Sequence, residues 1–245
     1  MNYKLLLQYD GTRYDGWQKQ GNSANTIQGR LEAVLSALAG EAVAVHGAGR
    51  TDAGVHALGQ VASVRLPLDL PAEELRRRLN AALPEDIAVA DVRPAGERFH
   101  ARLNAVGKTY RYAVRLGDVP DVFCRKYQFR VAEPLDLAAM ERAAALLTGR
   151  QDYRSFCSNR KMKKSTVRTV DAIRLERRGR DLTFTFHGDG FLYHMVRILV
   201  GTLLEVGRGE REAGDMPAVL AARDRSAAGF TAPPQGLTLV SVDYH

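Results

Sequence analysis

Residues 49–57 read Gly-Arg-Thr-Asp-Ala-Gly-Val-His-Ala and hold one carboxylate, Asp52, in a glycine-bracketed loop just after Arg50. A carboxylate held this way is suited to act as nucleophile or base. Gly47, Gly49 and Gly54 allow positive φ and a close approach of the backbone to a ligand. The same pattern also suits an Asp that only closes a turn through its own side chain. A second charged group separates these readings. Residues 191–206 are apolar almost all round, which buries a helix there, yet Arg197 falls in the middle. A buried guanidinium demands an acid or several acceptors. Asp52 is the partner we favour; Asp189, Glu205 and Asp243 compete, and pattern alone does not choose among them. A cation close to a carboxylate favours its charged form.

Tyr110 lies on a strand, Lys108-Thr109-Tyr110-Arg111-Tyr112, whose faces alternate, so its ring is either core or free to stack on a base taken out of an RNA stem. The run Arg160, Lys161, Met162, Lys163, Lys164 forms either a clamp on phosphates or a solvated loop. Arg76, Arg77 and Arg78 belong to a helix whose inward positions are Leu75, Leu79 and Leu83, which makes them a solvated face.

Several chemistries are excluded. The run Gly47 to Asp52 carries Asp where a dinucleotide fingerprint needs its third glycine, and no Gly-Lys-Ser/Thr follows. Six histidines and two cysteines, Cys124 and Cys157, show no metal or disulfide spacing. His56 and His100 read as hydrogen-bonding loop residues, so metal-free, cofactor-free chemistry is expected. The net charge of +7, with 28 of 35 basic residues arginine, favours a polyanionic partner. The longest apolar stretch is too short and too interrupted to span a bilayer, and Met1 to Leu7 lacks a signal-peptide apolar region, so a cytoplasmic protein is expected.

The elements that must position these groups follow from periodicity. Residues 3–9 read as a strand, then a polar loop runs to Asn25, and Thr26 caps a helix to Leu38. Strands near 42–47 and 58–66 flank the Asp52 loop. Pro71 opens a helix to Leu83, and 86–92 is a strand. The order βαββαβ then recurs: strand 108–116, helix 134–148, strands 167–177 and 181–187, helix 191–207, a short helix near 215–223 and strand 237–242. The fold class expected is α+β, with two ferredoxin-like halves, 1–105 and 106–245, whose antiparallel sheets flank a central catalytic cleft.

The nonapeptide around Asp52 resembles the signature of the tRNA pseudouridine synthase A family. The similarity extends through Tyr9 to Gln18, Leu79 to Pro84, Phe99 to Arg102, Lys108 to Tyr112, Phe191 to Arg197 and Ala227 to Pro233, in family order over nearly the whole chain. The resemblance implies isomerisation of uridine to pseudouridine at positions 38, 39 and 40 of the tRNA anticodon stem-loop, without cofactor or metal. It implies that Asp52 breaks the N-glycosidic bond, as nucleophile or as base. It also implies that Arg50 helps displace the base, Tyr110 contacts it, Arg197 pairs with Asp52 and Leu237 packs beside the pocket. A homodimer with tRNA crossing both subunits is implied as well. Residues 157–166 do not match the family position by position, so RNA contacts by Arg160, Lys161, Lys163 and Lys164 rest on charge alone.

The competing reading is a tandem RNA-binding module without catalysis, which needs exposed aromatics on a sheet. Strand 58–66 has none; Phe184 and Phe186 share one face of strand 181–187 and suit a core equally well.

Overall fold

The computed structural model describes residues 1–21 and 23–245; Asn22, inside the expected loop 10–25, lies outside them. It is a mixed α/β protein with mostly antiparallel strand pairing. The chain divides into two compact units, Met1–Val106 with Thr238–His245, and Gly107–Leu237.

In the first unit the order is β1 (Asn2–Tyr9), α1 (Ile27–Ala39), β2 (Val45–Gly47), β3 (His56–Arg65), α2 (Ala72–Ala82) and β4 (Ile87–Ala95). Antiparallel pairing gives the spatial order β4-β1-β3-β2. Alternation sets the faces: Tyr3, Leu5, Leu7 and Tyr9 of β1 are all buried. Helix α1 begins where the sequence places it, because the Thr26 hydroxyl accepts from Gly29 N at 3.1 Å. It ends at Gly40, which takes the left-handed conformation at φ 73°. Ile27, Leu31 and Leu35 bury its inner face. In α2, Leu75 and Leu79 turn inward, while Arg76 meets Glu73 and both Arg77 and Arg78 meet Glu74, which confirms the solvated face expected for this basic run.

The second unit contains β5 (Ala105–Leu116) from Gly107 onward, β6 (Phe129–Val131), α3 (Leu137–Leu146), β7 (Gly149–Asp152), β8 (Val167–Arg178), β9 (Asp181–Gly188), α4 (Met195–Gly207) and α5 (Met216–Ala222). Strands β5, β9, β8 and β7 pair antiparallel in that order, with the short β6 parallel to β5. Asp136 caps α3 through Ala139 N at 2.9 Å. Helix α4 is buried at almost every position, and Gly207 lets it meet Met140 of α3, since a Cβ there would lie 2.5 Å from the Met140 sulfur.

Three expectations need correction. Helix α4 starts at Met195, not at Phe191: Tyr193 and His194 form a turn closed by Met195 N donating to Leu192 O at 3.0 Å, and His194 sits at φ 63°, a left-handed conformation that ends any continuous helix upstream. Strands β6 and β7 lie outside the pattern read from sequence, being three and four residues long with no clear alternation. The last strand, β10 (Leu237–Tyr244), pairs parallel with β3 of the first unit through Thr238 and Leu239. Gly59 permits that contact, since a Cβ there would sit 2.2 Å from the Val240 carbonyl oxygen. The sequence expectation placed this strand in the second half.

Candidate active site

The Asp52 loop follows β2, and a second loop, residues 10–17, is clipped along it by backbone hydrogen bonds. Trp17 N donates to Thr51 O at 3.0 Å, and Gly54 N donates to Tyr14 O at 3.4 Å. Glycines make this approach possible. A Cβ on Gly11 would lie 2.0 Å from the Val55 carbonyl oxygen, and one on Gly16 would lie 2.6 Å from that of Thr51. Of the three glycines that bracket Asp52, Gly54 takes positive φ, at 78°. Gly47 serves packing instead: the Trp17 indole lies where its Cβ would be, 2.4 Å away.

Inside the loop, Asp52 is half-buried between the buried Thr51 and Val55. Val55 N donates to Asp52 O at 3.1 Å and closes the turn through main-chain atoms. Two side chains from the neighbouring strands brace the loop. The Tyr9 hydroxyl lies 2.8 Å from Thr51 Oγ1, and Gln60 Nε2 donates to the Gly49 carbonyl at 2.9 Å and to the Tyr9 hydroxyl at 3.4 Å. Burial pushes the Tyr9 phenol up to about 12, against the opposing pull of its bonds to Thr51 and Gln60, so it stays a neutral donor. His56, the first residue of β3, is buried and accepts from Gly11 N through Nδ1 at 3.1 Å. Its Nδ1 also lies 3.1 Å from Asp10 Oδ1. Arg50 is exposed.

In the second unit, Tyr110 is only 7% exposed and meets the Phe191 ring edge-on, with centroids 5.3 Å apart. Arg197 is half-buried on α4, and its Nε donates to the Ala232 carbonyl at 2.7 Å. Two of the acids that compete for Arg197 on sequence grounds are engaged elsewhere. Glu205 faces Arg211 at 3.2 Å and accepts from Phe230 N, and Asp189 accepts from Thr169 N. Leu237 is buried at the head of β10, beside Gly236, where a Cβ would lie 2.6 Å from the Tyr112 ring.

Arg160, Lys161, Lys163 and Lys164 are exposed on one loop. Arg154 grips that loop by donating to the carbonyls of Asn159 and Arg160, and Ser158 ties its start to Tyr193 and His194. Asp152 holds the far end through Thr166 and bridges to Arg223. His100, like His56, works as a hydrogen-bond acceptor, here from Arg102 N. Among the described residues no cluster of three potential metal ligands forms.

A model of the family described as tRNA pseudouridine synthase matches residues 6–104 and 143–245. The chain belongs to the tRNA pseudouridine synthase family. It is 44% identical to a tRNA pseudouridine synthase A of Bacillus sp. (strain KSM-64) over 243 residues, covering 99% of both chains. It is 46% identical to that of Moorella thermoacetica, covering 98% of both, and 44% identical to that of Acetivibrio thermocellus, covering 99% of both.

For a member of the tRNA pseudouridine synthase family, the sequence reading missed Tyr9 and Gln60 as supports of the loop. The available signal was a polar residue, Gln60, within a strand buried at nearly every position. It also missed Arg154 and Asp152 as anchors of the basic loop, for which the sequence offers no periodic sign.

Proposed function

We propose that this protein converts uridine to pseudouridine in tRNA, with Asp52 as the catalytic carboxylate, at positions 38, 39 and 40 of the anticodon stem-loop. Family membership carries the reaction class. The half-buried position of Asp52 in loop 48–55, which is braced at Gly49 and Thr51, supports the assignment to Asp52. The reaction breaks the bond from the sugar C1′ to N1 and remakes it from C1′ to C5. N1 gains a proton and C5 releases one, so no electron acceptor is needed. Asp52 serves either as nucleophile on the sugar or as base on a sugar proton.

In the same reading Arg50 helps displace the base, Tyr110 contacts it, Arg197 pairs with Asp52 and Leu237 packs beside the pocket. The basic loop with Arg160, Lys161, Lys163 and Lys164 contacts phosphates. The finer architecture we propose is a pair of ferredoxin-like halves, with β10 counted in the first unit and not in the second. The β4-β1-β3-β2 order supports this for the first half. A homodimer in the cytoplasm, acting without metal or cofactor, completes the proposal.

The non-catalytic module loses its footing in the burial of Phe184 and Phe186. Both are 0% exposed and stack on each other within the core, so they offer no platform for bases.

The deciding experiment is release of tritium from tRNA carrying C5-tritiated uridine, joined to a map of the pseudouridines formed. Asp52→Asn is expected to bind tRNA and lose turnover. Full activity in that variant removes Asp52 from the mechanism.

A further inference from the structure

Gln60 is 0% exposed, and its Oε1 has no hydrogen-bond partner among the described residues. A buried orphan acceptor is destabilising, so its retention needs a reason. The amide orientation supplies one. Turning the group over would aim Oε1 at the Gly49 carbonyl oxygen, two acceptors face to face, so the carbonyl at 2.9 Å fixes Nε2 where it is. Nε2 donates also to the Tyr9 oxygen at 3.4 Å, and the Tyr9 and Thr51 hydroxyls share a hydrogen bond of 2.8 Å in which either can be the donor. A hydrogen-bonded chain therefore runs from Gln60 through Tyr9 to Thr51. It reaches the loop on the N-terminal side of Asp52, at the Gly49 main chain and at the Thr51 side chain.

The supports are rigid. Tyr9 and Gln60 stand on β1 and β3, paired antiparallel in one sheet, and both are buried. The backbone of Thr51 is held a second time by Trp17 N at 3.0 Å. After Asp52, by contrast, the loop relies on main-chain contacts, Val55 N to Asp52 O and Gly54 N to Tyr14 O.

We infer that Gln60, Tyr9 and Thr51 form a positioning relay that sets the place of the Asp52 carboxylate for the isomerisation. The inference rests on the reading of Asp52 as the catalytic carboxylate. None of the three touches the reacting atoms; they act through the loop. Losing one link lets the carboxylate drift, and a misplacement near 1 Å lowers rate by roughly 100-fold. The expected signature is a fall in kcat at unchanged KM for tRNA, since binding does not depend on the relay.

The test is single- and multiple-turnover tritium release with Tyr9→Phe, Gln60→Met, Thr51→Val, Thr51→Ser and Asp52→Asn of the full chain, each followed by thermal melting. Tyr9→Phe, Gln60→Met and Thr51→Val are expected to lose about 10- to 100-fold in kcat with KM held. Thr51→Ser, which keeps the hydroxyl, is expected to restore most of it. The double variant Tyr9→Phe/Thr51→Val is expected to be no slower than the worse single one, because both break the same chain. Additive losses, or a loss that only follows the unfolded fraction in the melts, overturn the relay. Full kcat in Tyr9→Phe and Thr51→Val beside a dead Asp52→Asn also overturns it while leaving Asp52 catalytic. An active Asp52→Asn overturns the underlying reading instead.

Discussion

Arg197 and Ala232 hold each other twice: Arg197 Nε donates to the Ala232 carbonyl at 2.7 Å, and Ala232 N donates to the Arg197 carbonyl at 3.1 Å. One charged side chain thus pins the segment before β10 to the first turn of α4, so Arg197 has a structural task beside the proposed pairing with Asp52.

Arg197→Met removes a charge-assisted bond and leaves the Ala232 carbonyl, in a residue 0% exposed, without that donor. A loss of about 2 kcal/mol is expected from this bond alone, and more if an acid is left unpaired beside it. Urea unfolding together with tritium release checks both effects. A variant as stable and as active as the parent refutes the pairing with Asp52.

Gly201→Ala in α4 reverses the usual rule. Alanine in place of a mid-helix glycine ordinarily stabilises by about 1 kcal/mol. Here the added Cβ would lie 1.9 Å from the Phe230 carbonyl oxygen, so backbone must move. Destabilisation of about 1 to 3 kcal/mol is expected in denaturant titrations.

Asp86 gives a pH-dependent contribution of known sign. Burial works to raise its carboxyl, but hydrogen bonds from Tyr14 and Arg13 outweigh this and hold it below the usual range. A depressed acid contributes its stability in full above its unfolded value, near about 4, and loses it as pH falls through the folded value. Parent and Asp86→Asn are therefore expected to differ at pH 7 by about 1 kcal/mol and to converge in strong acid. A gap that widens on acidification refutes this assignment.

The loop with Lys161, Lys163 and Lys164 tests the RNA contact without touching the proposed chemistry. Replacing all three by Gln is expected to weaken tRNA binding. The slope of log affinity against log salt is expected to fall by about 1 for each phosphate that the variant no longer neutralises. kcat at saturating tRNA stays near the parent value. An unchanged slope makes the loop a solvated one.

The sequence by itself determined most of the elements, because each is set locally: the Thr26 cap and the Ile27, Leu31, Leu35 spacing made α1, and the β1 alternation put Tyr3, Leu5, Leu7 and Tyr9 inside. It also singled out Asp52, through the glycines and the family signature around it. Tertiary structure alone decided the rest. The left-handed turn at His194 shortened α4, and the parallel seat of β10 on β3 placed the last strand. Gln60 and Tyr9 came under the Asp52 loop only because β1 and β3 pair in register, Leu7 opposite Gln60 and Tyr9 opposite Ala57. Hydrogen bonds between residues 42 and 51 positions apart leave no periodic trace in the chain, since they depend on strand register and not on local propensity.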